Sequence, residues 1–169
     1  MLVAALVAVA AIVGGYFYWQ QNASTQEAAA QVPQYAPLPA DIKPHPQEKL
    51  PPLEFPKYAP TRPPEVSRAA YRFAAEHPEI LSYVPCFCGC ERSGHRGNAD
   101  CFVRARDVNG DVIEWDPHGM ECAVCLDVAT RSAQLHGSGT SVRDIRAAIE
   151  REWTPRATNH THTPAPPGD

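Results

Sequence analysis

No serine–histidine–acid arrangement, glycine-rich phosphate loop or defensible carboxylate pair occurs in the 169 residues. Those absences argue against triad hydrolysis, phosphoryl transfer and paired-carboxylate chemistry, so the chain reads as a non-enzyme. Basic residues form no stripe and the formal net charge is -4, which leaves no phosphate-binding face and removes nucleic acid as a partner. Charge is missing altogether from Leu2 to Trp19. Cysteine is missing from both flanks, and all six lie between Cys86 and Cys125.

The uncharged run "LVAALVAVAAIVGGYFYW" is 18 residues long. As a helix it would extend about 27 Å, enough to cross a bilayer core. Tyr16, Phe17, Tyr18 and Trp19 fall where an interfacial aromatic belt would lie. A cleaved signal peptide normally has a shorter apolar region preceded by basic residues. None precedes this run, and no cysteine near its end offers a site for lipid attachment. Residues 1–20 are therefore read as an uncleaved membrane anchor, with a signal sequence as the alternative.

Residues 21–63 are polar and then proline-rich, with 11 prolines between Pro33 and Pro64. Such a stretch disfavours helix interiors and central strands and favours an extended, polyproline-like chain. It is expected to be a disordered spacer, with partner docking as the alternative. Residues 154–169, "TPRATNHTHTPAPPGD", are disordered in character too, and His160 and His162 offer only weak metal contacts there.

Between them, residues 64–153 carry the globular signals. Val66, Ala69, Ala70, Phe73 and Ala74 recur at helical spacing, and His77-Pro78 should end that helix. "EILSYV" reads as one more turn. "FVRARDVNGDVIEW" reads as two short antiparallel strands joined at Asn109-Gly110. A helix is expected from about Met120 to Gly137, and another after Ser141, whose spacing to Asp144 suits a capping box. The fold class is α+β: a small Cys-rich domain of about three helices around one β-hairpin, preceded by a transmembrane helix and a Pro-rich linker. So small a core would gain from cross-links.

The cysteines supply candidates. In an extended "PCFCGC" segment, alternate side chains point one way, so Cys86, Cys88 and Cys90 can line one edge of a site. Gly89 lets the backbone fold around what they hold. Cys122 and Cys125 stand three apart at an expected helix start, where free amides and the helix dipole favour thiolate. His118 and Met120 just upstream add a nitrogen and a thioether. His95 reads as a surface-loop residue and His136 as a helix-end residue. The ligand pool is thus Cys86, Cys88, Cys90, Cys101, Cys122, Cys125, His118 and Met120. Soft donors suit Cu(I), zinc and iron–sulfur clusters. More sulfurs than a closed zinc site uses, in a domain facing outside the cytoplasm, make Cu(I) the leading reading and zinc the alternative.

Three rivals stand beside metal delivery. The six thiols could form disulfides in a stapled interaction module, hold a structural zinc, or exchange disulfides. The alternating βα pattern of a thioredoxin-like sheet is missing, which weakens the last. If metal is the answer, Cys88 and Cys90 should lie near Cys122 and Cys125 with several sulfurs about 3.5–4 Å apart, whereas a disulfide would hold its pair at about 2.05 Å.

"MECAVC" resembles the Met-x-Cys-x-x-Cys loop of heavy-metal-associated copper chaperones, although a helix rather than two strands follows it here. Taken together, "AAYRFAAEHPEILSYVPCFCGC", "GHRGNADCFV" and "WDPHGMECAVCLDVA" resemble the bacterial PCYCGC-motif family over roughly Glu65 to Trp153, with Phe87 in place of the motif's tyrosine. That resemblance implies an exported, membrane-attached protein, often a lipoprotein, from a family largely of unknown function. The combined expectation is a single-pass protein whose domain lies outside the cytoplasm. It would be tethered by residues 2–19 and would exchange metal with a membrane-protein partner.

Overall fold

The computed structural model describes residues 13–20 and 42–168. The chain divides into two compact units, Met1–Gln34 and Tyr35–Asp169. In the first, residues 13–20 are helical, and Val13, Tyr16, Phe17, Tyr18 and Trp19 are exposed. Among the described residues no helix is long and apolar enough to cross a membrane. Most of the apolar run 2–19, on which the anchor expectation rests, lies outside the described residues.

The second unit is built on three helices of more than one or two turns. Helix α1, Pro64–Glu76, starts on the proline that its first turn accommodates and ends at His77, whose amide bonds to the Phe73 carbonyl at 2.8 Å. Pro78 then opens a single turn, α2 (Pro78–Leu81). The strands β1 (Val103–Arg106) and β2 (Val112–Trp115) form an irregular antiparallel pair in which Val103 faces Trp115 and Arg106 faces Val112. Among the described residues, mixed helices with one two-stranded sheet make an α+β fold, as expected.

The turn between the strands is longer than the Asn-Gly pair suggests. Asp107 and Asp111 close it, and the Asp107 carboxylate accepts the amides of Asn109 and Asp111 at 2.8 and 3.0 Å. Gly110 alone adopts the left-handed conformation (φ 98°), so this is not the two-residue turn in which both positions do.

The helix expected from Met120 to Gly137 is broken in two. A single turn, α3 (His118–Glu121), is followed by extended Cys122, and α4 then runs from Ala123 to Gly137. The left-handed glycine after α4 is Gly139, not Gly137. Helix α5, Val142–Trp153, begins on Ser141, whose hydroxyl accepts the Asp144 amide at 3.2 Å.

α1 packs on α4, and α4 on α5, around Phe73, Ile80, Leu81, Phe102, Leu126, Ile145 and Ile149. Tyr71 joins this core to the hairpin. Its ring meets Phe102 and Trp115 edge-on at 5.0 and 5.4 Å, and its hydroxyl donates to the Asp116 carbonyl at 2.6 Å. Burial holds its phenol well above the usual range. Gly119 is required where α3 crosses Phe102, because a β-carbon there would meet that ring at 2.6 Å.

The flanking segments differ from their expectation. Part of the proline-rich stretch lies along the domain as a strap. The Gln47 side chain bonds the Ala75 carbonyl and the Val112 amide, Trp115 donates to the Pro51 carbonyl, and Arg62 pairs with Asp127. Beyond α5, Thr161 is buried and exchanges two hydrogen bonds with the Cys86 backbone. Proline-rich composition forbids helix and central strand, but it does not prevent an extended chain from pairing with distant groups.

Candidate metal centre

The site is assembled from three pieces of chain, each turned by a local device. The first is the loop Pro85–Cys90. Thr161 pins its start: the Cys86 amide donates to the Thr161 hydroxyl at 2.8 Å, and the Cys86 carbonyl accepts the Thr161 amide at 2.9 Å. Gly89 is left-handed (φ 78°), which only glycine adopts freely, and Cys90 then opens a short 3-10 turn, Cys90–Ser93. The bend, rather than strand alternation alone, gathers the three sulfurs. Cys86 and Cys88 Sγ are 3.3 Å apart, Cys86 and Cys90 2.9 Å, and Cys88 and Cys90 2.7 Å.

The second piece is the 3-10 turn Asn98–Cys101, which delivers the fully buried Cys101. Its Sγ lies 3.5 Å from Cys86, 3.9 Å from Cys90 and 3.4 Å from Cys125. Asn98 ties the pieces together, for its amide bonds the Val84 carbonyl at 2.9 Å and its side chain reaches the Cys125 carbonyl at 3.4 Å.

The third piece is the start of α4. Cys122 is the residue before the helix, and its sulfur accepts the Cys125 amide at 3.4 Å, as a capping side chain does. Cys125, one turn inside, places Sγ 3.6 Å from Cys86 and 3.5 Å from Cys88. From α3, His118 brings Nε2 to 3.5 Å from Cys88.

None of the six cysteines is paired in a disulfide. Their sulfurs nevertheless form one connected cluster, the arrangement expected of metal ligands. Donor atoms within 4.8 Å of one another fall into three groups: Cys86, Cys90, Cys101 and Cys125; Cys88, His118, Cys122 and Cys125; and Cys90, His95 and His118. Each group could hold a metal ion. In a tetrahedral site with metal–sulfur bonds of about 2.3 Å, sulfurs stand about 3.8 Å apart. The separations in the first group run from 2.9 to 3.9 Å, so most of its sulfurs stand closer than in such a site.

The thiols are electrostatically unequal without metal. Hydrogen bonds from Cys101, Cys122 and Cys125 hold Cys88 well below the usual thiol range, and those from Cys101 and Cys125 do the same for Cys90. Cys125, acting as the donor to Cys101 and Cys122, is held far above it. The thiolate character of Cys88 and Cys90 in turn pushes His118 up to about 10. Cys88 and Cys90 are thus the sulfurs biased toward thiolate, the metal-binding form, and their charge favours the protonated His118 ring.

His95 corrects the sequence reading. It is 5 % exposed, not a surface-loop residue. Left-handed Gly94 turns the loop inward, the His95 amide bonds the Cys90 carbonyl at 3.3 Å, and Nδ1 sits 3.4 Å from Cys101 Sγ. Its other nitrogen is 3.9 Å from Asp116 Oδ2. Asp116, buried and also unforeseen, receives the Arg104 guanidinium at 3.0 Å and the His118 amide at 2.9 Å. At 3.9 Å the Asp116 carboxylate lies near the His95 ring without a hydrogen bond to it. The only sequence hint was His95 six residues before Cys101.

Met120 is buried in the core beside the cluster; its amide bonds the Tyr71 hydroxyl and its carbonyl accepts from Thr61. His136 lies at the end of α4 against Phe73 and His77, in none of the donor groups. His160 meets the Phe87 ring at a tilt and His162 pairs with Glu91, so both tail histidines flank the loop without joining the sulfurs.

Comparison with family models matches residues 19–166 to a family described as a protein of unknown function with PCYCGC motif. Comparison with curated proteins and with solved structures gives no match.

Proposed function

The chain belongs to the PCYCGC-motif family, and from that premise we propose that it is a soft-metal-binding protein that holds and hands over Cu(I) through its cysteine cluster. The observation that carries this reading is the convergence of six unpaired cysteines, five of whose sulfurs lie between 2.7 and 3.9 Å from neighbouring sulfurs. Unpaired sulfurs gathered this closely are placed to share a cation, and thiolate-rich sets select Cu(I) and zinc. Cys86, Cys88, Cys90, Cys101, Cys122, Cys125 and His118 supply the donors, and the Met120 thioether is a further candidate on α3.

In this reading the uncharged run 2–19 tethers the domain to a membrane on its outer face, and a membrane protein exchanges metal with it. Support comes from the length and aromatic end of that run. The domain performs no catalysis of its own. Structural zinc is the second reading, favoured by the closed, buried four-cysteine group.

Metal analysis with free-thiol counting, on protein purified without oxygen from its own compartment, tests both. Copper with six titratable thiols after denaturation is expected. Zinc would move the assignment to the second reading, and three disulfides without metal would overturn both.

A further inference from the structure

We infer that the cluster holds two metal ions at once, bridged by the Cys125 sulfur, one among buried donors and one among partly exposed donors. This inference rests on the metal-binding reading above and adds number, arrangement and inequality to it.

Two of the three donor groups account for every cysteine and for His118, leaving only His95 outside. Cys86, Cys90, Cys101 and Cys125 form one four-donor group, and Cys88, His118, Cys122 and Cys125 form another. They share Cys125 alone, and together they use all six cysteines and His118. The third group, Cys90, His95 and His118, borrows a donor from each and adds only His95. A closed tetrahedral zinc site takes four ligands, so one such ion leaves three of these seven donors idle. Cys125 is suited to the shared position because its Sγ lies within 3.6 Å of Cys86, Cys88 and Cys101 at the start of a rigid helix.

Metal binding releases the protons of the bound thiols to solvent. Where all six sulfurs are thiolate, a second cation lowers the buried negative charge that a single ion would leave.

The two positions differ in access. All four donors of the inner group are buried, whereas Cys88, His118 and Cys122 are each partly exposed. The inner ion should therefore be retained, and the outer ion is the one that a partner or chelator reaches first.

The test is native mass spectrometry on the full chain loaded without oxygen with Cu(I) alone, and separately with Zn(II) alone, followed by timed exposure to a chelator. The Cys122→Ser variant is suitable because serine is itself a good helix cap and should preserve the fold. His118→Gln serves as a second, independent variant. Two ions are expected on the natural chain, leaving in two separate phases. One ion is expected on each variant, lost only in the slow phase. A single ion at saturation, or loss of both ions together in Cys122→Ser, would overturn the bridged pair and leave metal binding standing. No ion of either metal would overturn metal binding itself.

Discussion

Two of the three cysteine-bearing segments, Pro85–Cys90 and Cys122–Cys125, reach the same sulfur cluster by opposite means. Cys122 and Cys125 are placed locally: a helix start fixes their spacing, and the capping contact between them needs nothing from elsewhere in the chain. The loop is placed from a distance. Its backbone is held by Thr161, 75 residues away, its base by Asn98, and its bend by one left-handed glycine. A helix start is a rigid half of a site, and a loop of this kind is the adaptable half. The loop holds three close sulfurs with no α-helix beneath them, so metal should matter more to the loop than to the helix.

Metal removal should produce the largest effect. A structural metal contributes on the order of 10 kcal/mol to folding, so chelation under reducing conditions should lower the melting temperature steeply. Hydrogen exchange should rise first in residues 85–101 and last in α4. Equal loss of protection in both segments would erase the distinction between them.

Thr161→Val comes next. It removes the acceptor of the buried Cys86 amide while keeping shape and the reverse hydrogen bond. An unsatisfied buried donor costs about 2 kcal/mol. Chemical denaturation should show a loss of that size, with faster metal release and unchanged helix content. Unaltered release would mean that the tail does not brace the loop.

Gly89→Ala should cost about 1 kcal/mol, since a β-carbon is strained at this left-handed position. Metal affinity should fall further than stability, because the bend aims Cys88 and Cys90. A competition titration against a chelator of known affinity measures this directly. Arg62→Ala is the smallest case: its pair with half-exposed Asp127 joins the strap to α4, away from the sulfurs. A change below about 1 kcal/mol is expected, with metal affinity unchanged.

The same contrast explains what could be read from the sequence. Periodicity and capping gave α1, α4 and α5 because those signals are local: Ala70, Phe73 and Ala74 do face the core, and Ser141 does cap α5. Alternation and the three-residue spacing pointed to converging thiols. What escaped was non-local. His95 sits in a polar, glycine-containing loop whose burial depends on Asp116 and Cys101, and no local pattern encodes those contacts. Gln47 and Thr161 lie in segments whose composition reads as unstructured, yet single side chains there satisfy buried backbone groups across the domain. The break at Cys122 was hidden because the residues on either side of it are both helical.

X-ray absorption at the edge of the bound metal, recorded on protein loaded without oxygen, tests the central claim most directly. The six cysteines are proposed to act as one soft-metal site, so the nearest shell should be dominated by sulfur at about 2.3 Å, with one nitrogen from His118 as a minor component. A nearest shell of oxygen and nitrogen alone would contradict it.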